Sequence, residues 1–122
     1  MRAFLFSLLI GCTGSDDLEL AYIVAAECLQ CDPEEKEMVA NVVINRMEHG
    51  DYPDQVSEVI SQKGQFHGYC SGWYVYDLES HRAAVRAKRS RKYKNIYYFW
   101  RGKRPEYVKR IEYKMRYHNF GQ

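Results

Sequence analysis

The feature that most limits how this chain can fold is a carboxylate inside its most apolar run. Between residues 20 and 29, only Tyr22 and Glu27 are not plainly apolar. The apolar residues cover the whole circumference of a helix, which predicts a helix over about residues 16–30 that is buried on most sides. Burial raises the pKa of a carboxyl, and this suits a general acid near neutral pH. Glu27 is therefore either a candidate acid or a buried carboxylate bonded to Arg46 or a backbone N–H.

A second helix is indicated by strong start signals. Asp32 is a suitable N-cap, Pro33 fits the first helical position, and Glu35 completes the spacing of a capping box. Gly50 fits the end of this helix. The inner stripe is expected to contain Met38, Val39, Val42, Val43 and Met47.

The rest of the chain predicts a small β element beside further helices. The expected elements are a short helix after residues 52–53, a loop over 62–73, a helix over 78–89, a strand over 95–100, and a segment over 106–116 that fits either a helix or an extended chain. Residues 16–122 are thus expected to form one mainly helical α+β domain.

Residues 1–15 have a different character. The segment MRAFLFSLLIGC combines one basic residue with a short apolar core, which resembles a signal peptide, and Leu9 to Cys12 resembles a lipobox. This reading predicts export to the periplasm or cell envelope, with lipidation at Cys12 as a membrane tether. The alternative is a strand or helix that packs on the core.

Charge is divided unevenly along the chain. Residues 82–116 contain 14 basic and 2 acidic residues, whereas residues 1–81 contain 4 basic and 14 acidic residues. A basic half predicts an anionic partner, such as nucleic acid, an acidic membrane surface or bacterial cell wall. Solvated helix faces are the simpler explanation.

The cysteines allow more than one interpretation. Cys28, Cys31, His67 and Cys70 have the pattern C-x2-C…H-x2-C of a zinc set. Because Cys28 falls in a helical run, we favour a bridge from Cys70 to Cys28 or Cys31, or buried thiols, and expect neither a metal nor another cofactor.

Several short motifs occur in a fixed order. They are Glu27, Asn45-Arg46, Tyr52-Pro53, Val59-Ile60, Gly64-Gln65-Phe66 and, near the end, His118 with Phe120. Their order and spacing resemble the cell wall hydrolase family typified by the spore cortex-lytic enzyme SleB. The resemblance covers about residues 18–120 and is strongest over 18–66.

The resemblance implies a lysozyme-like α+β domain that cleaves peptidoglycan between N-acetylmuramic acid and N-acetylglucosamine. Glu27 matches the catalytic acid of the family, whereas Cys31 stands where relatives have a second Glu. The residues expected to contact the glycan are Gln65, Phe66, Tyr69, Trp73, Tyr98, Asn45 and His118. Of Tyr97 and Tyr98, only one is expected to face the cleft, because neighbouring strand residues alternate.

A single convincing carboxylate favours a lytic transglycosylase, in which the substrate's own 6-hydroxyl replaces water. An inverting muramidase using Asp51, Asp54 or Asp77 as second carboxylate is the alternative reaction. A wall-binding module without activity and a basic nucleic-acid-binding domain are the alternative functions. The sequence fits either a bacterial remodelling enzyme or a phage lysin or virion component.

Overall fold

The computed structural model describes residues 16–52, 55, 58–59 and 75–122. Within these ranges it contains three helices, which are α1 (Asp16–Cys28), α2 (Pro33–Glu48) and α3 (Leu78–Ser90). It also contains three strands, which are β1 (Tyr98–Trp100), β2 (Ile111–Lys114) and β3 (Asn119–Gly121). The α+β class is therefore confirmed. The signal-like segment with Cys12, the helix expected after residues 52–53 for most of its length, and the loop over 62–73 lie outside the described residues.

The helices begin where their capping signals predict. The side chain of Asp32 accepts a hydrogen bond from the N–H of Glu35 at 3.1 Å, and Asp77 caps α3 by accepting from the N–H of Ser80 at 3.0 Å. Both side chains satisfy an N–H that lacks a partner inside its helix. Helix α1 ends at Cys28, two residues before the predicted end, so Leu29 lies in a turn and is 48% exposed.

The core lies where the three helices meet. It is formed by buried aliphatic residues on α1 and α2 and by small residues on α3, together with Ile96 and Phe120 from the C-terminal part. Four of the five residues expected on the inner stripe of α2 are fully buried, and Met47 is half-buried. Small side chains on α3, such as Ala83, Ala84 and Ala87, let this helix approach its neighbours closely.

The sheet has the order β1-β3-β2, and both pairings are antiparallel. Strand β3 therefore lies in the middle, between two strands that do not pair with each other. The strand predicted over residues 95–100 forms only from Tyr98, and the ambiguous segment over 106–116 is extended and contains β2. The register of β2 shifts between Ile111 and Tyr113, which marks an irregularity at Glu112.

Ion pairs join the acidic and basic parts of the sequence. Arg86 on α3 pairs with Glu37 on α2, Lys88 pairs with Asp17 on α1, and the cap residue Arg91 pairs with Glu48. Part of the uneven charge is thus neutralised between helices. None of the helices in the described ranges combines the length and apolar character that crossing a membrane requires.

Gly121 permits the close approach of β3 to β2. A Cβ atom at this position would lie 2.1 Å from the carbonyl oxygen of Arg110, which is a backbone atom and cannot move aside cheaply. We therefore predict that Gly121→Ala lowers the free energy of unfolding by about 1–3 kcal/mol, measured by urea denaturation. The control is Gly50→Ala, because a Cβ there meets nothing within 4 Å. Equal stability of the two variants would contradict this reading of the sheet.

Candidate active site

Glu27 lies at the edge of the core rather than inside it. Its position on α1 continues the stripe formed by Leu20, Ile23 and Val24, which are all buried. Glu27 itself is half-buried, because the helix ends one residue later, at Cys28. The residue is therefore partly withdrawn from water and partly exposed to it.

A disulfide closes the turn after α1. Cys28 and Cys31 are bonded to each other, with their Cα atoms 5.1 Å apart. The expected bridge from Cys70 to one of these cysteines, and the expected buried thiols, are therefore wrong. A C-x2-C pair can close on itself when the helix ends between the two cysteines, as it does here, because the turn brings the second side chain back toward the first.

Two buried polar side chains pack against this disulfide. The carboxylate of Glu35 accepts hydrogen bonds from His118 Nδ1 at 2.8 Å and from the N–H of Tyr117 at 3.2 Å. His118 Nδ1 also lies 3.8 Å from the sulfur of Cys28 and 4.0 Å from that of Cys31. Glu35 is 0% exposed and His118 is 3% exposed. Both therefore lie beneath the surface at the base of the helix that carries Glu27.

Burial is the largest influence on the pKa of His118, and it lowers that pKa. The neighbouring Glu35 carboxylate opposes this effect, and Arg101 adds to it. Nδ1 of the ring faces Glu35 Oε2 at 2.8 Å, and Nε2 lies 3.5 Å from Arg101 Nε. His118, which we expected to contact glycan, is buried with both ring nitrogens turned to protein groups.

Glu35 was not predicted to be a site residue. Its role in a capping box would direct its side chain back to Asp32, but the side chain instead turns inward to His118. A signal for this was present, because Glu35 begins the stripe that Met38, Val39 and Val42 continue at helical spacing.

The other end of α2 holds the chain that leads into β1. Asn45 donates both amide hydrogens, to the carbonyl oxygens of Tyr93 at 2.7 Å and Ile96 at 2.9 Å. Arg46 Nε donates to the carbonyl oxygen of Tyr97 at 2.7 Å. Asn45, expected to contact glycan, is 5% exposed and uses its donors on backbone.

An aromatic pocket lies next to this junction. The guanidinium of Arg46 lies 5.3 Å from the ring centre of Tyr52 and 5.2 Å from that of Tyr98, and the two tyrosine hydroxyls are hydrogen-bonded at 3.0 Å. Burial, followed by this hydrogen bond, raises the pKa of Tyr52 to about 12. The cavity in front measures about 250 Å³ and is lined by His49, Asp51, Tyr52, Tyr97, Tyr98, Tyr107, Lys109 and Gln122. We call it the tyrosine pocket.

Tyr98, an expected glycan contact, is thus part of a pocket wall. Tyr97 also lines the tyrosine pocket, and the expectation that only one of Tyr97 and Tyr98 faces the glycan cleft stays a prediction. The alternation of a strand does not apply to them because β1 begins only at Tyr98. The remaining expected contacts, Gln65, Phe66, Tyr69 and Trp73, lie outside the described residues.

The three candidates for a second carboxylate differ in their surroundings. Asp77 accepts hydrogen bonds from Lys36 Nζ at 2.5 Å and from Ser80 Oγ at 2.6 Å, so it is engaged in capping α3. Asp51 lies in the lining of the tyrosine pocket, with a side chain that is 87% exposed. Asp54 lies outside the described residues.

Comparison with known proteins identifies the family. The sequence profile described as Cell Wall Hydrolase matches residues 32–121. The chain belongs to the cell wall hydrolase family. The matched range begins at Asp32, and so Glu27 lies just before it. The comparison with curated proteins gives no match.

A solved structure has the same fold as this cell wall hydrolase. The catalytic domain of the Bacillus cereus SleB protein matches with a TM-score of 0.76 and 19% sequence identity, over 88% of this chain and 89% of that chain. At this identity the match shows the fold. The resemblance to the SleB-like cell wall hydrolases is thereby confirmed.

The contacts of Asp77 predict a pH-dependent stability. Its hydrogen bonds to Lys36 and then Ser80 hold the pKa of Asp77 below the ordinary value of 3.8. The ionised carboxylate therefore stabilises the folded state above pH 3.8, and this contribution is lost as the pH falls through the lower, folded-state pKa.

We predict that Asp77→Asn lowers the free energy of unfolding by about 1–3 kcal/mol at pH 7, because Lys36 is 4% exposed and loses its charged partner. The difference from the parent is expected to shrink below pH 3.8, as measured by urea denaturation across pH. Glu79→Gln, which breaks the exposed pair with Arg82, is the control and is expected to change stability by less than about 0.5 kcal/mol. If the difference in free energy of unfolding between Asp77→Asn and the parent is as large at low pH as at pH 7, the ionised Asp77 carboxylate is not its source.

Proposed function

We propose that this protein cleaves the glycan strand of peptidoglycan between N-acetylmuramic acid and N-acetylglucosamine, as a lytic transglycosylase with Glu27 as its acid and base. The family and the fold support peptidoglycan hydrolysis. The observation that carries the choice of Glu27 is its half-buried position at the end of an otherwise buried helical stripe. A carboxyl placed there can give up a proton and still be reached by a substrate.

The proposed reaction uses one carboxyl twice. Protonated Glu27 gives its proton to the glycosidic oxygen, and the N-acetylglucosamine part leaves as an alcohol. The carboxylate of Glu27 then removes the proton of the 6-hydroxyl on the same muramic acid, and that oxygen bonds to the anomeric carbon. The product contains a 1,6-anhydro ring, Glu27 is protonated again, and no water is consumed.

The surroundings of several other carboxylates support a reaction with a single acid. Among the alternatives named from the sequence, Asp77 already serves as a helix cap and as the partner of Lys36. Several further acids are engaged with basic residues or hydroxyls, as Glu34 is with Tyr93 and Glu37 is with Arg86. A substrate-assisted mechanism needs none of them.

Basic residues are proposed to favour the encounter with the wall. The exposed stretch from Arg101 to Arg110 carries five basic residues and one acid. Peptidoglycan stem peptides and the wall polymers that accompany them are anionic, so a basic surface raises the rate of association at low salt. An extracytoplasmic site of action follows from this substrate. Lipid attachment at Cys12 and a phage origin stay predictions from the sequence.

The test compares the parent with Glu27→Gln on purified peptidoglycan. We predict that Glu27→Gln lowers the rate of release of soluble fragments by about 10²–10⁴-fold, because the amide cannot transfer the proton. The matched control is Glu79→Gln, an exposed carboxylate on α3 that pairs with Arg82, and it is expected to keep the parental rate. Thermal unfolding of each variant checks that the fold is retained.

Mass spectrometry of the fragments then identifies the reaction. Anhydro-muramic ends, lighter by one water than reducing ends, are expected for the transglycosylase. Reducing ends together with a slow Glu27→Gln variant would show a muramidase. A Glu27→Gln variant as fast as the parent would show that Glu27 is not the acid. Binding to wall without turnover in any form would show the inactive module instead.

A further inference from the structure

Four potential metal ligands converge beneath the end of α1, and they are not the set that the sequence suggested. One ligand atom each from Cys28, Cys31, Glu35 and His118 lies within 4.8 Å of the others, and all four residues are buried. The zinc pattern read from the sequence used His67 and Cys70 with the same two cysteines. The structure instead brings together residues from α1, the following turn, α2 and the segment before β3.

The distances from His118 Nδ1 to the two sulfurs are close to those that tetrahedral coordination of zinc requires. Zinc bonds of about 2.3 Å to sulfur and about 2.0–2.1 Å to nitrogen or oxygen place neighbouring ligand atoms about 3.4–3.8 Å apart. His118 Nδ1 already lies 3.8 Å and 4.0 Å from the two sulfurs. It lies 2.8 Å from Glu35 Oε2, so this pair has to open by about 0.6 Å. The larger change is separation of the two sulfurs, which are bonded to each other in the structure.

The types of ligand also favour zinc. Two thiolates, one imidazole and one carboxylate are all ligands of structural zinc sites, and two cysteines separated by two residues are a frequent part of them. Arg101, whose Nε lies 3.5 Å from His118 Nε2, can offset the extra negative charge that two thiolates and Glu35 leave on such a complex.

We propose that the reduced form of this protein binds one Zn²⁺ through Cys28, Cys31, Glu35 and His118. The disulfide and the zinc complex are alternative cross-links at the same place. The ion would also bond to Glu35 on α2 and to His118 in the segment before β3. The disulfide forms no covalent bond to either of these side chains. The proposal concerns a site beside Glu27 and does not depend on the proposed catalytic role of Glu27.

Conversion between the two states is a defined reaction. A water-soluble phosphine reduces the disulfide and is itself oxidised. The phosphine takes the oxygen of one water molecule to become a phosphine oxide, and the two hydrogens of that water become the two thiol protons. Zn²⁺ then displaces one proton from each thiol as the thiolates bind. The proton on His118 Nδ1 moves to Nε2, because a ring nitrogen that binds the ion carries no proton, and Arg101 Nε then no longer donates to Nε2.

The experiment measures metal binding by the full chain in its oxidised and phosphine-reduced forms. Zinc content after desalting gives the stoichiometry, and Co²⁺ substitution reports thiolate ligation through its near-ultraviolet charge-transfer absorption. We expect about one Zn²⁺ per reduced chain and much less than one per oxidised chain. Since both forms are the same polypeptide, this comparison does not depend on any variant folding correctly.

Variants identify the ligands. Cys31→Ser, Glu35→Gln and His118→Gln are each expected to weaken binding by more than about 10-fold. Cys12→Ser, His67→Gln and Cys70→Ser are matched controls that remove other thiols or imidazoles and are expected to keep the parental affinity. Circular dichroism of each apo variant separates loss of a ligand from loss of the fold.

Two results would overturn the proposal. One is a reduced parent that binds no more Zn²⁺ than the oxidised parent. The other is binding that survives Glu35→Gln and His118→Gln but is lost in His67→Gln and Cys70→Ser, which would assign the ion to the set suggested by the sequence pattern.

Discussion

Hydrogen bonds from both ends of α2 hold the C-terminal part of the chain to the helices, and the position of the sheet depends on them. Near the start of α2, Glu35 accepts from Tyr117 and His118. Near its end, Asn45 and Arg46 donate to backbone carbonyls just before β1. The two groups are ten positions apart, or about 15 Å along a helix. Apolar packing alone is not directional, whereas two separated polar contacts fix both the position and the orientation of the sheet.

The same arrangement bears on Cys31, the position where the resemblance to the family implies a second Glu. Cys31 cannot act as a carboxylate, but the carboxylate of Glu35 lies within 4.8 Å of the Cys31 sulfur. Glu35 is fully buried and is engaged with His118, so it supports the end of α1 rather than facing a substrate.

The helices could be predicted from the sequence because their signals are local. Asp32 and Asp77 cap helices as their spacing to the next turn indicates, and the inner stripe of α2 is readable from its period. The sheet was harder, because strands of three or four residues contain too few positions to show alternation, and β3 gave no signal at all. Glu27 could be singled out by its apolar neighbours. The role of Glu35 could not be predicted from the sequence, because its partner, His118, is 83 positions away. The contact between them is made only in the folded chain.

The order of the strands has a consequence for biosynthesis. β1 and β2 each pair with β3 and not with each other, although both precede it in the chain. While the polypeptide is emerging from the ribosome, the two outer strands therefore have no partner until residues 119–121 have been made. The helices, whose hydrogen bonds are local, can form earlier. The nascent domain is thus expected to carry a folded helical part and an unpaired β segment until the middle strand arrives and joins them in a single late step.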